Sequence, residues 1–187
     1  MSATAQPELR TERLLLRAFL VTDAEAVSVL AGDEEVARNT LNIPHPYDRR
    51  HAEEWIASHP GQYQRREAVT YAITDPSDGA LIGAVGLILD PANDSAELGY
   101  WIGRDHWGHG FATEAARAVL KWAFDALELH RIHASHFPRN PASGRVLEKL
   151  GMRHEGRLRQ HVKKWGEYLD LERFGILRDE LEDGARE

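Results

Sequence analysis

The chain has 187 residues, 42% hydrophobic and 28% charged, a balance that suits one globular domain with a substantial core. No apolar run reaches the roughly 18 residues of a membrane helix, and the first residues lack the charge and apolar stretch of a secretory signal. The absence of cysteine excludes disulfides, thiolate metal sites and a cysteine-bound acyl intermediate, while a formal charge of −7 argues against nucleic acid and favours a cationic substrate.

In chain order, Glu12 to Phe19 reads as an opening strand. Thr22 and Glu25 have capping-box spacing ahead of a short helix whose stripe is Ala26, Val29 and Leu30. Asp33 is placed to cap a further helix through Arg38. Two prolines keep Asn42 to Tyr47 irregular, and Asp48 is placed to cap a helix carrying Ala52, Trp55 and Ile56, which His59-Pro60-Gly61 should end. Val69 to Thr74, Leu81 to Leu89 and Ala96 to Ile102 alternate as strands joined by two Asp-Pro turns, which predicts an antiparallel meander.

The period then changes. Ala112, Ala115, Ala116, Val119, Leu120, Ala123 and Phe124 recur at helical spacing, with Glu114, Arg117, Lys121 and Asp125 opposite. Arg131 to Phe137 reads as a strand, Ser143 to Leu150 as a helix, and Arg157 to Trp165 with Tyr168 to Leu177 as a hairpin around Gly166. The expected fold class is therefore α+β: one domain over 9–180, a mixed but largely antiparallel sheet flanked by helices, and a C-terminal β-hairpin. Residues 1–8 and 181–187 are expected to be flexible ends, the latter with its acidic run solvated.

Between a strand and the long helix lies Trp107-Gly108-His109-Gly110-Phe111-Ala112-Thr113-Glu114. Glycines let a backbone bend tightly and approach a ligand, and the first helical amides, with the positive end of the helix dipole, suit a pyrophosphate. The same glycines also suit a plain strand-to-helix turn. No Gly-Lys-Ser/Thr ending marks a P-loop, and Thr113 stands where the dinucleotide fingerprint needs a third glycine. His130, His133 and His136 alternate in facing along a strand and do not converge, so no metal is expected.

Ala96-Glu97-Leu98-Gly99-Tyr100-Trp101-Ile102, followed by Trp107 to Ala115, resembles the acyl-CoA-binding motif of GNAT acetyltransferases, and most closely their ribosomal-protein N-terminal acetyltransferase (Rim-type) branch. Asn140-Pro141-Ala142-Ser143-Gly144-Arg145-Val146-Leu147-Glu148-Lys149-Leu150-Gly151-Met152 is similar to a second family segment, and the likeness spans nearly the whole chain. The resemblance implies acetyl-CoA as co-substrate, with pantetheine beside Trp101 and Ile102, pyrophosphate on the amides of Gly108, His109, Gly110, Phe111 and Ala112, and Asn140 in contact from the neighbouring strand end. The family loop usually opens on Gln or Arg, where this chain has Trp107, so the implied contacts there are mainly those of the backbone.

By the same resemblance Glu97 is the candidate general base, with a solvent-facing or ion-paired strand carboxylate as the plainer reading. Leu147 replaces the tyrosine that many members carry seven residues after the asparagine. Ser143 is therefore the candidate proton donor to the CoA thiolate, or simply the cap of its helix. The implied activity is N-acetyl transfer by direct attack in a ternary complex, with a protein N-terminal α-amine as the leading acceptor. A small amine (polyamine, antibiotic or metabolite) and an inactive acyl-CoA-binding module stay open. His45 and Tyr47 could line the acceptor entrance. No nucleic acid or membrane partner is expected, a homodimer is left open, and a cytoplasmic location is the default.

Overall fold

The computed structural model of the chain describes residues 5–183; of the ends expected to be flexible, 1–4 and 184–187 lie outside the described residues, whereas 181–183 belong to a terminal helix. The opening strand is shorter than its apolar run. β1 (Leu9–Arg10) and β2 (Leu15–Arg17) form a small antiparallel hairpin. The turn between them is held by Thr11, whose backbone N–H donates to the Leu14 carbonyl at 3.0 Å and whose hydroxyl accepts the Leu14 N–H at 3.0 Å. A side chain that satisfies the backbone locally competes with a ladder, and here it ends the strand.

α1 (Ala24–Gly32) departs from both expectations. Thr22 and Glu25 form no box, because the Asp23 carboxylate accepts the Leu20 N–H at 2.7 Å and pairs with Arg17 at 2.7 Å. The fully buried face is Ala24, Val27 and Ala31; of the expected stripe, Ala26 and Leu30 are half-buried against that core and Val29 is exposed. α2 (Glu34–Arg38) is capped as predicted, with Asp33 Oδ1 accepting the Glu35 and Val36 N–H groups at 2.8 and 3.2 Å. α3 (Arg49–Gln64) starts at Asp48, which accepts the His51 N–H at 3.0 Å, but it runs on through Pro60. Aromatic packing supports this stretch: the His59 ring lies 4.5 Å from Trp55 and 5.4 Å from Phe19.

The remaining strands are β3 (Ala68–Thr74), β4 (Leu81–Asp90), β5 (Ser95–Ile102), β6 (Arg131–His136), β7 (Arg153–Lys164) and β8 (Glu167–Leu177). With β1 and β2 they make one eight-stranded sheet, ordered β1-β2-β3-β4-β5-β6-β8-β7. Every neighbouring pair is antiparallel except β5 with β6. The helices are completed by α4 (Phe111–Ala126), α5 (Pro141–Lys149) and α6 (Arg178–Asp183). Among the described residues no helix is long and apolar enough to cross a membrane.

α4 buries the predicted row from Ala115 to Phe124 against Leu87, Leu98, Ile132 and Ile176 on one face of the sheet. Its alanines let helix and sheet approach closely. On the other face α1 and α3 cover Ala72, Ala84 and Trp101. Because neighbouring strand residues face opposite ways, Trp101 and Ile102 belong to different clusters.

One pairing sets up the functional region. β5 pairs with β4 over all its residues, from Ser95 opposite Asp90 to Ile102 opposite Gly83. It pairs with β6 only from Ser95 to Leu98. Beyond Leu98 the strands part, so Gly99 to Ile102 present an open backbone edge among the described residues. β4 itself stays close: a Cβ on Gly83 would stand 2.2 Å from the Trp101 carbonyl oxygen. Gly83→Ala is accordingly expected to lower the urea-unfolding free energy by about 1–3 kcal/mol. Gly99→Ala, whose Cβ would meet nothing within 4 Å, should change it by less than about 0.5 kcal/mol. Equal losses in the two variants would contradict the pairing described here.

Candidate functional site

After β5 a 3₁₀ turn at Arg104–His106 leads into the glycine loop. Gly108 and Gly110 have φ of 80° and 81°, in the left-handed region that favours glycine, and a Cβ on Gly108 would meet nothing within 4 Å. Gly110 is the N-cap of α4 and no side chain caps that end, so the first amides remain available at the positive end of the dipole. The residues expected to act together, Gly108 through Ala112, are contiguous here. The His109 ring stacks on Phe111 at 5.6 Å.

Long-range contacts hold the loop. The Trp107 indole N–H donates to the Ile102 carbonyl at 2.7 Å, which gives the unusual loop-opening residue a structural role. Arg13 donates to the His109 carbonyl at 2.9 Å and through Nε to Glu114 Oε2 at 2.7 Å. Glu114 also accepts the Thr11 hydroxyl at 2.6 Å and the Arg13 backbone N–H at 2.9 Å. Burial alone would raise this carboxyl's pKa, but the hydrogen bonds from Thr11 and Arg13, with the arginine charge, take it below its ordinary value. The first-turn acid is thus drawn onto the N-terminal hairpin and neutralised by Arg13. A cleft of about 760 Å³ runs beside the loop, lined among others by Gly110, Thr113, Arg117, Lys121 and Lys149.

Along β5 the expected residues divide between faces. Trp101 and Ile102 turn their side chains into the two cores, so only their backbone bears on the open edge, and the Ile102 carbonyl already accepts Trp107. Glu97 is half-buried on the sheet face opposite α4, in register with Ile88 of β4 and His133 of β6. Ser143 lies on the α4 side, where its hydroxyl is 2.8 Å from the Tyr100 hydroxyl. Glu97 and Ser143 therefore reach each other only through the gap where β5 leaves β6.

Asn140, not Ser143, caps α5: its Oδ1 accepts the Ser143 N–H at 3.2 Å. Pro141, with no N–H to satisfy, takes the first helical position and moves the cap back from where the sequence reading placed it. Tyr100, part of the β5 motif but without an expected role of its own, is the residue that engages Ser143. Its pKa is pushed up to about 12 by burial, against the pull of the serine hydrogen bond, so it stays protonated at neutral pH. The period-two alternation with Ile102 was the available signal for its facing. Leu147 is fully buried in the core.

The hairpin tip closes against the loop before α3. Lys164 is only 5% exposed and donates to the Leu41 and Ile43 carbonyls at 3.3 and 3.0 Å, while Trp165 meets His45 at 5.8 Å. Tyr47 stacks on His51 at 5.6 Å. Of the two loop aromatics offered as an entrance, His45 thus bears on the hairpin and Tyr47 on the first turn of α3.

His133 beside Glu97 has its pKa pushed down to about 4 by burial and by the charges of Arg173 and Arg131; burial does the same to His59. Both are neutral in the folded protein at pH 7, and the unfolded chain binds their protons more readily below its ordinary value near 6.5. Stability should therefore fall as pH drops from 6.5 towards 4. His59→Gln and His133→Gln should each flatten that decline in urea midpoints; curves parallel to the parent would contradict the assignment.

A family model described as an acetyltransferase (GNAT) domain matches residues 13–153. The chain is 34% identical over 173 residues to the uncharacterized N-acetyltransferase p20 of Bacillus licheniformis, covering 92% of this chain and 97% of that protein. It is 27% identical over 110 residues to the ribosomal protein uS5-alanine N-acetyltransferase of Escherichia coli, covering 58% of this chain and 57% of that one. A solved structure of Mycobacterium smegmatis RimJ in complex with CoA-disulfide superposes with a TM-score of 0.82 at 25% identity, covering 94% of this chain and 88% of that one.

Proposed function

As the chain belongs to the GNAT acetyltransferase family, we propose that it transfers acetyl from acetyl-CoA to a protein N-terminal α-amine by direct attack in a ternary complex. The observation that carries this reading is the convergence on β5 of an uncapped helix start, an open backbone edge and a carboxylate.

The residues present fit acetyl-CoA. The amides from Gly108 to Ala112 and the α4 dipole would take the pyrophosphate. The edge from Gly99 to Ile102 would take the amides of pantetheine much as a sheet edge takes an added strand. Asn140 would contact the cofactor through the amide nitrogen that its cap leaves over. Bound acetyl-CoA supplies an activated acetyl thioester, and the protein supplies proton management on either side of it. Glu97 removes the ammonium proton, directly or through water. Ser143, oriented by the phenol of Tyr100, holds the proton that the departing thiolate requires.

The preference for an α-amine follows from acid strength. Freeing the lone pair at pH 7 costs about 1.4 kcal/mol for an α-amine with a pKa near 8 and about 4.6 kcal/mol for a lysine near 10.4. The E. coli relative, named as an N-acetyltransferase for the alanine of a ribosomal protein, supports the same class of acceptor.

Thiol release from acetyl-CoA in the presence of N-terminal peptides, polyamines and aminoglycosides tests the assignment; the peptides should be the best acceptors. Glu97→Gln should lower kcat by about 10²–10⁴ with unchanged acetyl-CoA affinity, and Gly110→Val should weaken that affinity. Full turnover in the first variant would remove the proposed base, and unchanged affinity in the second would remove the backbone cradle.

A further inference from the structure

Arg173 of β8 lies in register with Ser135 of β6, and its neighbours Phe174 and Ile176 alternate into the core beneath α4. Its side chain therefore rises on the opposite face, the one that carries Glu97 and His133. The guanidinium reaches its register partner on β6, with Nη1 3.4 Å from Ser135 Oγ. Ser135 directly follows Ala134, the last β6 residue paired with β5. The charge thus stands about one strand spacing, roughly 5 Å, from the opening between β5 and β6. At that level β5 contributes Gly99, with nothing within 4 Å of where its Cβ would point.

The charges around Arg173 leave it unneutralised. Arg131 is taken by Glu155, with Nη1 2.6 Å from Oε1 and a second bond between Nη2 and Oε2. That pair lies across Gly175, where a Cβ would stand 2.6 Å from both arginine nitrogens. Glu155 is near enough to feel Arg173, yet both its oxygens serve Arg131. Among the described residues no carboxylate lies within 4.0 Å of the Arg173 guanidinium, whose side-chain hydrogen bond is a long one to a neutral hydroxyl. Asp90 and Glu155 favour a proton on His133, but burial, Arg173 and Arg131 outweigh them, so the imidazole is neutral. A half-buried guanidinium without an anion is under-satisfied. Arg173 is thus a cation without an ion-pair partner among the described residues, on a chain that as a whole carries −7.

We infer that the acceptor carries a carboxylate near its reacting amine, as an acidic side chain at the first or second residue of a polypeptide, and that Arg173 receives it. This rests on the transferase reading above. With the amine at Glu97 and the opening beside it, the reach to Arg173 is about one to two strand spacings, or roughly 5–10 Å. That matches an α-amine and an Asp or Glu side chain within two residues. A polyamine or aminoglycoside would bring a second cation to the same place and be repelled. Arg173 acts here as a specificity-determining residue, forming a charge-assisted hydrogen bond with no part in the proton transfers.

The test compares peptides that begin Ala-Glu, Ala-Gln and Ala-Lys and are otherwise identical. The parent enzyme should favour Ala-Glu over Ala-Gln by about 10- to 100-fold in kcat/KM, expressed in KM, as charge-assisted hydrogen bonds give. Arg173→Gln should bring the two to parity, and Arg173→Glu should favour Ala-Lys, both with unchanged acetyl-CoA affinity. Equal kcat/KM for Ala-Glu and Ala-Gln in the parent enzyme, or a preference that survives Arg173→Gln, would overturn the inference while leaving transfer intact. Normal acetyl-CoA binding with no turnover of any amine would overturn the transferase reading and this inference with it.

Discussion

The parallel pairing of β5 with β6 stops after Leu98 and Ala134, while β5 remains fully paired with β4. A strand held on one side and released on the other keeps its position and exposes its backbone. The released length, Gly99 to Ile102, runs directly into the loop whose glycines bring the α4 amides forward. The opening also passes through the sheet, and it joins a face carrying Glu97 to a face carrying Ser143 and Tyr100. Without the separation these groups would lie on opposite sides of a continuous ladder. In the function proposed here, the sheet itself thereby separates a proton acceptor from a proton donor.

Electrostatics follows from where charges are tied down more than from how many there are. Glu114, in the first turn of α4, sits where an acid favours the helix but opposes a phosphate. Arg13 and Thr11 draw it away, and the same arginine fixes the loop through the His109 carbonyl. The N-terminal hairpin, which contributes only two short strands, is thereby joined to the glycine loop. On the far side of the sheet Glu155 neutralises Arg131 and leaves Arg173 unpaired. The net charge of −7 points to a cationic partner, yet the face that carries Glu97 also carries an arginine without an ion-pair partner among the described residues.

The sequence was most legible where local pattern decides. The alternation of β3 to β5, the row from Ala115 to Phe124 and the caps Asp33 and Asp48 appear in the structure within a residue or two. α1 was misread because Ala24, Ala26, Val27, Val29, Leu30 and Ala31 leave it apolar on most sides, so packing rather than period selects the buried face. Pro60 reads as a terminator; of the two aromatic contacts of His59, Trp55 lies one turn back in the same helix, but Phe19 comes from beyond β2 and has no local signal. Ser143 looked like a cap until Pro141 set the helix start at Asn140. The glycine loop and the family segments were readable as motifs. The arrangement of Tyr100 with Ser143, and of Arg173 with Ser135, was not, since each joins residues about forty positions apart. Nothing in the local sequence of β5 marks where β6 lets it go.

The central claim is that one released strand edge and one helix start together hold CoA, and amide hydrogen exchange with and without CoA tests it most directly. The account predicts slowed exchange in two stretches, Gly99 to Ile102 and Gly108 to Ala112, with the β3–β4 ladder unchanged. Slowing confined to other segments, or CoA binding with neither stretch affected, would contradict it.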